Sequence, residues 1–413
     1  MRHEARKFIG CPGKTCYLRN VGPIRRCRDL RMPVPWHIIT GEYPHAGGGV
    51  ADYTRSVARA LAAAGDEVHV WAPVAAGGLV EEPGVQLHPL ARGFGPRGLL
   101  ALARAFERES RPRRLLLQYV PQAFGLRGMN VPFCAWVASL RDTQVWVMFH
   151  EVLVWWRPRW ALRTAAIAAG TRAMATILAA RADRTFVSVP SWTPLLRDLM
   201  TRRPPARWMP VPSNVPTAVS SEARTSIRAR LGVTPETPLV GHFGTYGSLI
   251  APLVKRAALT VLSADPRRRL LLLGRGGRSL ARDLGADASL AGRITATGDL
   301  EGAEVAAHLA ACDVLVQPYV DGVSTRRGTA MAGLALGIPI ATNEGWVTEP
   351  VWRECEAVEL TPGPELVAEA ADRLLRNPAR AAAMGARGRD LYRSRFSIEH
   401  TVRELRGLDE VAP

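Results

Sequence analysis

Two arginines and an aspartate offer the plainest chemistry in the chain. The segment Asp321-Gly322-Val323-Ser324-Thr325-Arg326-Arg327-Gly328 follows the apolar run Asp313–Tyr319 and precedes a helical pattern, Thr329–Leu336. A guanidinium fork beside a helix N-terminus sets a delocalised cation and free backbone N–H groups on one anion, which suits a phosphate or diphosphate. A second loop, Gly47-Gly48-Gly49 in GEYPHAGGGVADYTR, lies between the apolar run Trp36–Ile39 and a helix running to Ala64. Glycine lets backbone approach a phosphate closely and tolerates positive φ; a permissive turn reads equally well from the glycines alone. His150 closes the apolar run Gln144–His150 and precedes Glu151. A histidine there serves either as a structural hydrogen-bonding group or as a ligand contact. Gly274-Arg275-Gly276-Gly277 lacks the downstream acid of a full dinucleotide fingerprint.

These loops need elements that hold them at one edge of a sheet. Apolar runs at Trp36–Thr40, Glu67–Pro73, Val85–Leu90, Arg114–Val120, Gln144–His150, Thr185–Val189 and Trp208–Val211 alternate with helical patterns such as Tyr53–Ala64 and Arg159–Arg181. Their hydrophobicity is continuous, which predicts parallel strands covered on both faces. The rhythm stops around Pro212–Pro216 and resumes with Pro238–Phe243, Arg269–Leu273, Arg293–Thr297, Asp313–Tyr319, Ile338–Thr342 and Ala357–Leu360. The expectation is an α/β protein of two Rossmann-like, doubly wound parallel-sheet domains facing across a cleft. Residues 32–215 form the first domain, 216–395 the second, and 396–413 a helix that packs back on the first.

With 413 residues the chain is long enough for two such cores. Lys+Arg 54 against Asp+Glu 37 gives a net charge of +17. Residues 1–31 hold nine Lys/Arg and two Asp/Glu and show no helical period, so they read as a basic, disordered extension or as sequence ahead of a true translation start at Met32. Cys11, Cys16 and Cys27 there match no common zinc spacing. Cys134, Cys312 and Cys355 sit among apolar residues and read as buried free thiols. No uncharged apolar run reaches the ~20 residues a spanning helix needs. Lys7, Lys14 and Lys255 are the only lysines, so arginine carries nearly all the positive charge, as in GC-rich coding. That arginine is spread along the chain without aromatic striping, which argues against nucleic-acid binding.

The words of two segments are also familiar. GEYPHAGGGVADYTRSVARALAAAGDEVHVWAP resembles the amino-terminal segment of family-4 glycosyltransferases of the GT-B fold, and HLAACDVLVQPYVDGVSTRRGTAMAGLALGIPIAT resembles their sugar-nucleotide segment. LLLQYVPQAFG, VWVMFHE, VSVPS and MPVPSNVP fall between them in the family's order, so the likeness runs from about Met32 to Leu408. The resemblance implies a retaining hexosyltransferase that takes a nucleoside-diphosphate sugar as co-substrate. No metal and no resident cofactor are implied, since the chain lacks a DxD-type carboxylate pair in a suitable loop. It implies His150 and Arg327 as catalytic residues. Donor contacts are implied for Gly48, Gly49, Gly244, Asp321, Gly322, Ser324 and Arg326, and acceptor contacts for Asp52, Trp155 and Trp156. The acceptor would be a glycan or lipid-linked hydroxyl. Trp155, Trp156 and Trp160 interleaved with Arg157, Arg159 and Arg163 suit an anionic membrane surface or a packed helix start equally, so a cytoplasmic enzyme with peripheral attachment is the expected setting.

The chain also departs from the family. Counted back from Gly337-Ile338-Pro339, the two motif glutamates of many relatives fall on Ser324 and Ala332. The usual Arg and Lys after the first strand of the second domain are replaced by His242 and Tyr246. Lys255 is the expected substitute cation, and Lys255→Met should raise the donor KM. Glu344 is a candidate for the ribose contact, or a capping or surface acid, as are Glu301, Glu304 and Glu349. The missing glutamates keep a second reading open: a GT-B glycan- or nucleotide-binding protein without turnover.

Overall fold

Short strands that are apolar on both sides must be covered on both faces, and two parallel sheets satisfy them here. The computed structural model describes residues 34–44, 48–74, 78–153, 162–199 and 205–407. Strands β1 (Trp36–Thr40), β2 (Val68–Pro73), β3 (Val85–Leu90), β4 (Arg113–Tyr119), β5 (Thr143–Phe149), β6 (Arg184–Val187) and β7 (Arg207–Trp208) pair in the order β3-β2-β1-β4-β5-β6-β7. Strands β8 (Leu239–Phe243), β9 (Arg269–Leu273), β10 (Ile294–Gly298), β11 (Val314–Gln317), β12 (Ile340–Asn343) and β13 (Glu359–Thr361) pair in the order β10-β9-β8-β11-β12-β13. All of these pairings are parallel. The two-domain α/β architecture expected from the sequence is present.

Both faces of each sheet are packed. In the first, Ile39, Leu117, Val147 and Phe149 fill one side, and Ile38, Val70, Leu116 and Met148 the other. In the second, Leu271, Leu273, Leu315 and Ile340 oppose Val240, Leu272, Val316 and Ala341. Strands β1, β3 and β9 have the expected bounds, and the ends of the others differ from expectation by at most three residues. The run Asp313–Tyr319 narrows to β11 because the Tyr319 N–H donates to the Asn343 side chain, at 2.8 Å, and leaves the ladder.

Chain order reverses beside the first strand of each sheet, between β1 and β4 and between β8 and β11. Loops at the carboxyl ends diverge at such points and leave a crevice. The loops after β1 and β11 border these points, and the segment after β5, one strand further out, reaches the same cleft. The helix Ile398–Leu405 returns to the first domain: Leu405 joins its core, and Arg207 Nη1 donates to Glu404 Oε1 at 2.7 Å. The linker is pinned where Ser213 N–H donates to the Tyr392 hydroxyl at 3.1 Å.

Among the described cysteines, Cys134 and Cys312 are buried thiols, but Cys355 is only half-buried. Cys11, Cys16, Cys27, Gly47, Trp155, Trp156 and Trp160 lie outside the described residues. No described helix is long and apolar enough to cross a membrane.

Candidate active site

The first wall of the cleft belongs to β1 and the helix Gly49–Ala63 that follows it. Gly48 is the N-cap in extended backbone, with φ −174°. The Glu42 carboxylate lies against this helix start, where the backbone N–H groups of Val50 and Ala51 offset part of the burial that raises its pKa, so an anion expected here from the sequence would meet an acid of the chain itself. Gly48 makes room for that carboxylate, since a Cβ would stand 2.6 Å from Glu42 Oε1. A Cβ on Gly49, by contrast, would meet open space, and Gly49 lines the cleft. Asp52 lies in the first turn and accepts from Asn214 Nδ2 at 2.9 Å. Burial pushes the Glu42 and Asp52 carboxyls above their usual range.

His150 stands one residue beyond β5, its N–H donating to Tyr119 O at 3.0 Å. The imidazole Nε2–H donates to Gln118 Oε1 at 2.8 Å, and the ring sits edge-on to Tyr53 with centroids 5.1 Å apart. Burial drives its pKa down to about 3, so a neutral imidazole faces the cleft. Gln118 and Tyr53 were missed from sequence. The available signal for Gln118 was a lone amide inside the apolar run LLLQYV.

The second wall is the loop between β11 and the helix Gly328–Leu336, with Arg327 at the N-cap. Arg326 Nη2 donates to Asp321 Oδ2 at 2.9 Å, and Arg327 Nη2 donates to Asp321 Oδ1. One carboxylate thus holds both guanidiniums together beside a helix N-terminus. Aromatic faces back them: the Arg327 guanidinium lies 4.9 Å from the Tyr319 ring centre and that of Arg326 lies 5.9 Å from Trp192. Gly322 has φ +93°, and a Cβ there would stand 2.2 Å from Gly345 N. The neighbouring loop requires glycine at this position. Ser324 is fully buried with its hydroxyl unpartnered, and Ala332 is fully buried in the helix.

The cleft of about 300 Å³ brings Gly49, Asp52, His150 and Glu151 of the first domain against Arg326 and Gly328 of the second. Other sequence candidates stand apart from it. Gly244 packs on the His242 ring, while His242 and Tyr246 are a buried aromatic pair with centroids 4.8 Å apart. Burial takes the His242 pKa to about 3, so neither replacement supplies a cation. Lys255 is exposed on the helix Ala251–Ser263 and does not line the cleft. Glu344 accepts from Nε and Nη2 of Arg353, at 2.6 and 2.7 Å, which lowers its pKa. Glu349, read as a surface or capping acid, is 2% exposed.

Among the described residues one group, His37, His69 and Glu109, brings possible metal-ligand atoms within 4.8 Å of one another. It lies at the amino ends of β1 and β2, the edge away from the cleft. The His37 and His69 rings are stacked, so their in-plane lone pairs run side by side and do not converge on one point.

Two parallel-sheet domains with a cleft between their carboxyl edges define the GT-B class of fold. Residues 48–214 match the family model described as a glycosyl transferase 4-like domain, and residues 255–407 match one described as glycosyl transferase-like. Compared by sequence with the curated proteins, the chain matches none. Solved structures share its fold at low identity. Sucrose-phosphate synthase from Thermosynechococcus elongatus has a TM-score of 0.68 at 19% identity, covering 91% of this chain and 98% of that one. HepE of Anabaena, in complex with UDP and glucose, has 0.66 at 14%, covering 92% and 100%. WaaG, a glycosyltransferase involved in lipopolysaccharide biosynthesis, has 0.59 at 15%, covering 89% and 99%. The chain belongs to the family-4 glycosyltransferases of the GT-B fold.

Proposed function

We propose that this glycosyltransferase moves a hexose-type unit from a nucleoside-diphosphate sugar to a hydroxyl of a glycan or lipid-linked acceptor, with retention of configuration. The observation that carries the reading is Arg326 in a small cleft across from His150 and Asp52, with Arg327 held to the same Asp321 at the adjoining helix N-terminus. A departing diphosphate accumulates charge, and preformed guanidinium and N–H donors stabilise it without reorganising. The UDP and glucose bound in HepE support a donor of this kind. In this reading neutral His150 hydrogen-bonds the transferred sugar, Arg326 and Arg327 take the diphosphate, Gly49 lies on the donor side, and Asp52 faces the acceptor. The acceptor hydroxyl attacks the anomeric carbon on the face the phosphate leaves, and a leaving phosphate oxygen accepts its proton. The guanidiniums and helix dipole take the neutralising part, so neither a resident metal nor a cofactor is invoked. The setting is cytoplasmic, with peripheral contact to an anionic membrane through Trp155, Trp156 and Trp160 and the arginines interleaved with them.

A second reading, a GT-B binding protein without turnover, is favoured by the burial of Ser324 and Ala332 at the two motif-glutamate positions. Measuring UDP or GDP release from a panel of donor sugars decides between them. Release above the uncatalysed rate supports transfer. Tight nucleotide binding without release supports the second reading.

A further inference from the structure

Glu349 has no part in the site described so far, yet it is a buried carboxylate behind the arginine loop. It lies between β12 and the short helix Val351–Glu354. Its Oε1 accepts from Thr325 N–H at 3.0 Å and from the Thr325 hydroxyl at 2.7 Å; its Oε2 accepts from Trp352 Nε1 at 2.7 Å. Every partner of the carboxylate in this set is a donor, so the ionised form is the one that fits, although burial raises its pKa. Thr325 is the residue before Arg326, and it also touches the first domain. Trp208 Nε1 donates to its hydroxyl oxygen at 3.3 Å, and Val211 N–H donates to its carbonyl at 3.3 Å. The Ser188 carbonyl lies 3.3 Å from the same hydroxyl, and the Ser188 side chain donates to His150 O at 3.2 Å.

We propose that Glu349 is a positioning residue for the anion-binding arginines. It fixes Thr325, and Thr325 in turn sets Arg326 and Arg327 against the wall that carries His150. The proposal rests on the donor-side role given to those arginines above. A carboxylate absent from the motif positions is thereby restored behind the loop from another element, where it orients cations and does not touch the sugar. Glu349 and Asp321 flank the two guanidiniums from opposite ends of the loop, one through backbone and one directly.

The test uses the full chain with Glu349→Gln, Thr325→Val and Thr325→Ser, and calorimetric titration with pyrophosphate and with UDP. The Gln amide keeps the shape, but in either flip its NH₂ confronts a donor. Glu349→Gln and Thr325→Val should each weaken both ligands about tenfold or more, while Thr325→Ser stays within about threefold. In an Arg326→Ala/Arg327→Ala background Glu349→Gln should add almost nothing, because the residue acts through those side chains. Wild-type affinity in Glu349→Gln overturns the proposal, as does an equal loss in both backgrounds, which marks a merely structural role. If Glu349→Gln does not fold, the Val and Ser variants at Thr325 decide. Pyrophosphate binding without donor turnover would sink the transfer reading and leave this one standing. A wild-type chain that binds neither ligand overturns both.

Discussion

Replacing Arg327 is the sharpest perturbation of the proposed chemistry. The residue caps the helix Gly328–Leu336, is about one-quarter exposed, stacks on Tyr319 and shares Asp321 with Arg326. A guanidinium about 4 Å from a phosphate charge is worth about 4 kcal/mol at an effective dielectric of 20. The exchange is not all gain, because a bound diphosphate takes the place of an existing carboxylate partner. A net of ~2.7 kcal/mol, a factor of about 10², is left to act on the transition state, in line with loss of one preorganised donor. Arg327→Ala should therefore lower kcat about 10²-fold. Arg327→Lys keeps the charge but loses the planar fork and much of the ring stacking, so about tenfold is expected. The assay is UDP release at saturating donor, paired with calorimetric UDP affinity at two salt concentrations. An Arg327→Ala enzyme with kcat within threefold of wild type, and unchanged UDP affinity, would refute the reasoning.

Three further outcomes follow from neighbouring geometry. Asp321→Asn leaves two adjacent guanidiniums without their shared anion; Tm should fall without ligand and rise more steeply with added UDP than in wild type, and an equal UDP-induced shift counts against competition at that carboxylate. Gly322→Ala forces a side chain into Gly345 at a φ of +93°; a loss of ~3 kcal/mol or more, read as a Tm drop of about 6 °C or more, is expected. His37, His150 and His242 each have the pKa lowered from 6.5 to about 3. The unfolded chain then binds more protons between those values, so stability is full above pH 6.5 and falls as pH drops toward 3. Each histidine contributes about 1.4 kcal/mol per pH unit in that window. Urea midpoints at pH 7.5 and 5.5 should differ accordingly, and His242→Asn should flatten the slope; a midpoint independent of pH would contradict the burial argument.

What the sequence revealed and what it hid divide along one physical line. Strands such as β4 and β9 were legible because Leu115–Leu117 and Leu270–Leu273 are apolar at successive positions, and only a doubly covered sheet buries both sides. Position followed from chain order for the loops after β1 and β11, which border the reversal points, whereas His150 after β5 reaches the cleft from one strand further out. Arg326 and Arg327 were readable for the same reason. Contacts made by one loop with another were not. Glu42 looks like any loop acid until the first turn of the helix beginning at Gly49 folds over it. The obligation at Gly322 comes from Gly345. Burial of Glu349 is tolerable only because Thr325 and Trp352 supply its donors. His242 and Tyr246, read as replacements for two cations, turned inward because Tyr246 donates to His242 O at 3.0 Å and their rings pack together.

The loops after β11 and β12 therefore act as one unit. The Asn343 amide donates to Tyr319 O at 2.9 Å and accepts from Tyr319 N–H, so the start of the arginine loop is fixed by the end of the next strand. Gly322 seats on Gly345 in the middle, and Glu349 holds Thr325 at the far end. Three anchors along so short a segment leave the arginines little freedom beyond their own side-chain torsions. Preorganisation of that kind is what a metal-independent stabilisation of diphosphate requires, because charge must be met without the site first rearranging. The sequence positions that lost their glutamates are buried beneath this unit, so an acid restored at Ser324 alone would face the loop interior and not the sugar.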